Sequence, residues 1–200
     1  MKPAHLLSTT LLASLLALGA CSDANDKAAA PAAAASAPAP TVSLPAIASE
    51  AKGFTVGSSM SVRTVYVFFD PQCPHCAALW EQAKPLKTQA KFVWIPVGLL
   101  NASSTPQGAA LLAAADPVAA MDAHEASMKD HQGGIGATGN LDAQKGAVEA
   151  NTKLLTRLQF AGVPTIVAKH AVTGELVVKE GAMPTAALAN ALGLVPPAGS

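Results

Sequence analysis

The chain has 200 residues, with 13 basic and 13 acidic side chains. Balanced charge supplies no basic face, so nucleic acid is excluded as an expected partner. The apolar fraction of 50% is inflated by the first 46 residues; the remaining roughly 150 suit one domain with a single core, and no internal repeat is visible.

Residues 1–20 read as a signal peptide. Lys2 gives a positive start, and Leu6–Leu18 is apolar but too short to span a bilayer. The run ends Leu18-Gly19-Ala20-Cys21. Small residues before a cysteine resemble the lipobox of bacterial lipoproteins, and that resemblance implies cleavage before Cys21 and a lipid on it. An ordinary secretory signal is the alternative, and either predicts export. Residues 21–46 are mostly Ala, Pro and Ser, as in Ala37-Pro38-Ala39-Pro40. Such a segment cannot build a core, and its prolines keep the alanines out of one helix. A disordered tether is expected, reaching roughly 75 Å if extended as polyproline. Ser22 resembles the outer-membrane sorting pattern, which leans weakly toward that membrane. The folded domain is assigned to 47–200.

Within it, Phe54–Val56 is predicted as a short edge strand and Arg63–Phe69 as a strong one, being rich in β-branched and aromatic residues. Cys73-Pro74-His75-Cys76 follows, then a predicted helix from Pro74 to about residue 89, kinked at Pro85. Phe92–Val97 is the next strand. A helical insert over about 99–160 has pieces near 107–115, 117–129 and 141–160. Strands at Val163–Lys169 and Glu175–Lys179, joined through Val172-Thr173-Gly174, precede a helix at Thr185–Leu192 stopped by Gly193. The order β-α-β, helices, β-β-α predicts an α/β fold of thioredoxin-like type, with the insert between the second strong strand and the one that follows it.

A strand that turns into a helix through Cys-x-x-Cys is a redox layout. The first sulfur lies at the helix N-terminus, where unpaired amides and the dipole favour a thiolate. If Cys21 is lipidated, Cys73 and Cys76 are the only thiols left in the mature chain. A zinc site is the competing reading, but it normally needs four ligands and no second Cys-x-x-Cys exists; an inert cysteine pair is another.

The segment Tyr66-Val67-Phe68-Phe69-Asp70-Pro71-Gln72-Cys73-Pro74-His75-Cys76 resembles the catalytic domain of the periplasmic Dsb family, nearest its DsbG and DsbC members. Trp94-Ile95-Pro96-Val97-Gly98 resembles the same family. Gly162-Val163-Pro164-Thr165 resembles the cis-proline loop of thioredoxin-like oxidoreductases. The resemblance implies a thiol:disulfide oxidoreductase acting on protein cysteines, with Cys73 attacking and Cys76 resolving. Pro164 would be cis and face the pair, and Val163 would offer backbone bonds to a bound peptide. A trans proline opening an edge strand is the alternative. No cofactor beyond the cysteine pair is implied, and a membrane redox partner of the Dsb type is. Pro74-His75 and Val163 look more like the oxidase DsbA, so His75 is expected to favour the Cys73 thiolate, unless it is merely solvated. The tether runs almost directly into the catalytic domain, with no dimerisation domain between; a monomer is expected and isomerase activity is not.

Other residues carry paired expectations. Asp70 caps the turn or tunes the thiols. Trp80 packs in the core or edges the substrate groove. Thr165 bonds a bound chain through its hydroxyl or is a strand residue. His124 is structural, and Glu125 is a candidate acid near the pair. A second function remains open at this point, a lipid-anchored Cu(I) carrier using Cys73, Cys76 and His75 or His131, because soft thiolates suit Cu(I). A third is a partner-docking lipoprotein with vestigial cysteines.

Overall fold

The structure is a computed structural model and describes residues 41–198. The expected signal peptide, Cys21 and all but the last residues of the expected tether lie outside the described residues. The tether's last residues depart from expectation. Leu44–Glu50 forms helix α1, started by Ser43, whose hydroxyl accepts the Ala46 N–H at 3.5 Å. Ile47 is its fully buried residue. One turn of apolar residues inside an Ala/Pro stretch gives too short a pattern to read, and packing decides it.

Five strands form one sheet in the order β1-β3-β2-β4-β5. They are β1 Phe54–Gly57, β2 Thr64–Phe69, β3 Lys91–Pro96, β4 Thr165–Lys169 and β5 Leu176–Glu180. Strands β2 and β3 are parallel, joined across helix α2 (Pro74–Ala83); every other pairing is antiparallel. β2 is central, which is why its residues are apolar on both faces. Val65, Val67 and Phe69 point to one side, where they cluster with Trp80, Phe92, Trp94 and Leu188. Phe68 points to the other, with Ile47, Ile95, Leu155 and Phe160.

The predicted helix to residue 89 ends early. α2 stops at Ala83 and a 3-10 turn covers Lys84–Leu86. Pro85 has no N–H to continue the ladder, so the helix terminates where a kink was expected. The insert supplies α3 Ser104–Ala113, α4 Pro117–Lys129 and α5 Asp142–Arg157. Asp116 caps α4 by accepting from Val118 N–H and Ala119 N–H. α5 is tied to the sheet by buried Asn151, which donates to Lys52 O at 2.7 Å and Pro96 O at 2.9 Å. The final helix α6, Thr185–Leu192, ends at Gly193 in the left-handed region (φ 68°), as expected. No helix among the described residues is long and apolar enough to cross a membrane.

Candidate active site

Parallel β2 and β3 both end at the same edge of the sheet. There the chain leaves β2 through Asp70-Pro71-Gln72 and enters α2 at Cys73. The turn closes with Cys73 N–H donating to Asp70 O at 3.0 Å. Cys73 is the N-cap of α2, and Pro74 follows in the first turn, where its missing N–H costs nothing. The cap is made by sulfur: Cys73 Sγ accepts the Cys76 N–H at 3.4 Å.

The two thiols are free but unlike. Cys73 retains 6% exposure, whereas Cys76 has none. The Cys76 side chain hydrogen-bonds Cys73 and, against the opposing effect of burial and with help from the backbone N–H groups of Cys76 and His75, holds the Cys73 thiol at about 6. Burial, reinforced by the same thiol pair, pushes the Cys76 thiol up far beyond the ordinary range. His75 is exposed, and its charge contributes last among these causes. The sulfur's favourable setting is thus first a matter of the Cys76 side chain and only then of the helix-end amides.

Val163–Pro164 is a cis peptide bond. The Val163 carbonyl lies 3.7 Å from Cys73 Sγ, bringing together groups 90 residues apart. Pro164 is buried at the start of β4. Thr165 departs from one expectation. Its hydroxyl is fully buried and donates to Gly162 O at 2.6 Å, so it braces the loop instead of facing a bound chain.

Asp70 caps the turn that leads into α2, the first of its two expected roles. Its Oδ1 accepts Gln72 N–H at 2.8 Å and its Oδ2 accepts Leu99 N–H and Leu100 N–H at 2.7 and 3.0 Å. Trp80 is a core residue, with its indole N–H donating to Asp122 at 2.8 Å. Fully buried His124 is structural: Nε2 bonds Pro71 O at 2.7 Å and Nδ1 accepts Ile135 N–H at 3.2 Å. Those contacts assign the proton to Nε2, and burial pushes the imidazole below its usual value. Glu125 does lie near the pair. Burial first, then the charges of Glu81 and Cys73, raises its carboxyl to about 7.

One network has no local signal in the sequence. Gln72, just before Cys73, donates to Gln107 Oε1 at 2.5 Å and to Gly133 O at 3.3 Å, and accepts from Asn101 at 3.1 Å. These partners stand 35, 61 and 29 residues away, beyond any local pattern. The Cu(I) reading is not favoured: among the described residues no group of three or more His, Cys, Asp or Glu gathers into a ligand set.

The sequence profile described as "Thioredoxin-like domain" matches residues 57–196. The chain belongs to the thioredoxin-like domain family. A 75-residue stretch of the chain is 41% identical to the thiol:disulfide interchange protein DsbG of Pseudomonas aeruginosa, covering 36% of this chain and 29% of that protein. A 65-residue stretch is 40% identical to DsbG of Escherichia coli, covering 32% of this chain and 26% of the relative. The chain therefore spans less than a third of the length of each of these curated relatives. The catalytic domain of Proteus mirabilis ScsC superposes with a TM-score of 0.57 at 19% identity, over 74% of this chain and 96% of that one. That likeness is one of fold.

Proposed function

We propose that this thioredoxin-like domain is a thiol:disulfide oxidoreductase that exchanges disulfides with protein cysteines through Cys73 and Cys76. One observation carries the reading. Two thiols one helical turn apart are split into a readily ionised, slightly exposed Cys73 and a buried, protonated Cys76. The similarity to DsbG proteins supports it.

In the oxidising direction a substrate thiolate attacks Cys73 Sγ. The Cys73–Cys76 bond breaks, and its electron pair leaves on Cys76, which takes a proton. The second substrate thiolate attacks the substrate sulfur of the mixed disulfide, and Cys73 departs as a thiolate. The substrate loses two electrons and two protons; one proton stays on Cys76 and the other passes to water. Cys73 is the better leaving group because its conjugate acid is stronger. A stabilised thiolate also favours the reduced form, so the domain is read as an oxidant. Pro164 and Val163 form the wall against which the substrate backbone lies, and Pro74 and His75 set the helix end. Reoxidation falls to a membrane redox partner, and the domain works as a monomer.

The decisive experiment is Cys76→Ala in periplasmic extract. The variant accumulates mixed disulfides through Cys73 that dithiothreitol releases; a variant that collects no reducible adduct defeats the reading. The site of work is proposed as the periplasm, with the domain held by a lipid on Cys21 and a tether. Labelling cells with a radioactive fatty acid tags the wild-type protein and not Cys21→Ser; equal labelling of both removes the anchor from the proposal.

A further inference from the structure

The end of the sheet opposite Cys73 carries a cavity of about 460 Å³. β2 runs from Thr64 to Phe69 and leads into the redox turn, so Arg63 lies before its start. β4 is antiparallel to β2 and ends at Lys169, beside that start. The two ends of the six-residue β2 stand roughly 20 Å apart. Arg63, Lys169 and His170 line the cavity, and no acidic side chain does. Arg63 and Lys169 have no ion-pair partner among the described residues. The acids nearest to the lining residues in the chain are engaged elsewhere. Glu50 pairs with Arg157, and Glu175 accepts from the Thr173 hydroxyl.

The rest of the lining is chiefly apolar. Leu44, Pro45 and Ala48 come from α1, and Val62 and Ala171 from the loops that flank β2 and β4. Val62 is 97% exposed, Met60 in the same loop 89%, and Val172, beside Ala171, 80%. Scattered exposed apolar side chains mean little on their own. These are the three most exposed large apolar side chains among the described residues. They sit in the two loops that supply the cations. The chain also enters the described domain here. The first 40 residues precede Thr41, and α1, capped by Ser43, forms one wall of the cavity. The segment that carries the proposed lipid on Cys21 is therefore joined to the domain at this face. Cations without partners and apolar tips together match an anionic lipid surface. Its phosphates accept from arginine and lysine, and its interfacial layer takes up apolar side chains.

We propose that this face rests on an anionic phospholipid surface, with a headgroup phosphate held in the cavity by Arg63 and Lys169 and with Met60, Val62 and Val172 in the interfacial layer. The inference rests on the lipid-anchor reading and adds an orientation to it. A flexible tether limits how far the domain travels and leaves its facing open. This contact fixes the facing: Cys73, at the other end of β2, is turned away from the lipid and stays open to substrate.

The test uses the processed full chain, reconstituted from detergent into vesicles of phosphatidylcholine alone or of phosphatidylcholine mixed with phosphatidylglycerol. Amide hydrogen exchange is read by mass spectrometry. Segments 58–63 and 170–175 exchange about fivefold more slowly in the mixed vesicles, the effect of one basic residue at an anionic surface. The segment around Cys73 exchanges alike in both. Arg63→Glu/Lys169→Glu, at two exposed positions, removes the difference. A wild type that floats with both kinds of vesicle and exchanges alike in them overturns the inference and leaves the anchor standing. A chain that floats with neither removes the anchor, and the inference with it. A double variant that keeps the protection overturns the inference. So does protection in detergent that grows with protein concentration, which assigns the face to a second copy. Protection by inorganic phosphate without vesicles gives the cavity to a soluble anion and also overturns it.

Discussion

Cys73 and Cys76 are the same side chain three positions apart, with opposite acid strengths. The difference is made by burial and by who donates to whom. Cys73 receives hydrogen bonds at the open end of a helix, where the partial positive charge also favours a thiolate. Cys76 sits one turn in, without solvent, and donates. The reduced protein is therefore expected to show thiolate absorbance near 240 nm with a midpoint at about pH 6. Because the Cys76 side chain is the first cause of that depression, Cys76→Ala is expected to move the midpoint upward. An unmoved midpoint would mean that the helix-end amides alone hold the charge. The CxxC spacing pointed to these two residues from the sequence. The helix-end position also singled out Cys73 as the thiolate; the sealing of Cys76 from water did not follow from it, because solvent access is set by helices and loops that lie far off in the chain.

The helices show which signals are local. Pro74 and the N-cap position of Cys73 begin α2, and Pro85 ends it; both are visible in the sequence, although the end is a stop and not a kink. Gly193 closes α6 with its amide on Asn190 O and with Leu194 N–H on Ala189 O. The end of α5 uses the same geometry without glycine. Gln159 sits at φ 58° and Phe160 N–H reaches back to Leu155 O at 3.3 Å. A left-handed non-glycine residue carries a penalty of roughly 1–2 kcal/mol, and Gln159 is exposed, so its side chain gains little in return. Gln159→Gly is expected to stabilise the domain by about 0.5–1 kcal/mol once glycine's extra unfolded-state entropy is set against the relief. Urea unfolding checks it, and a lower midpoint would contradict the cap geometry. α1 was not legible, since its seven residues bury only Ile47 and their order depends on Phe68, Ile95 and Leu154 on the sheet's far face.

At the scale of the whole molecule, redox state and stability are linked. The Cys73 thiol is depressed from 9.0 to about 6 in the fold. Between those values the unfolded chain binds more protons than the native one, so the stability of the reduced form rises with pH. That stabilisation grows as pH rises from about 6 toward 9 and is lost as pH falls through about 6. The oxidised form has no such thiol to titrate. Denaturant unfolding of both forms across that range is expected to show the reduced form gaining on the oxidised one; parallel curves would contradict the thiolate. The sequence by itself determined the strand-turn-helix that presents Cys73 and the order of the elements along the chain, because each is written in spacing and side-chain type within a few residues; the proline beside the site was legible only through the family resemblance. Only the tertiary structure decided which cysteine is sealed from water, that Val163 stands against the reactive sulfur, and that Asp70, Gln72 and Asn151 tie distant loops together. Those contacts join residues 29 to 99 positions apart, and burial and hydrogen-bond partnership at such separations arise only when the chain has packed.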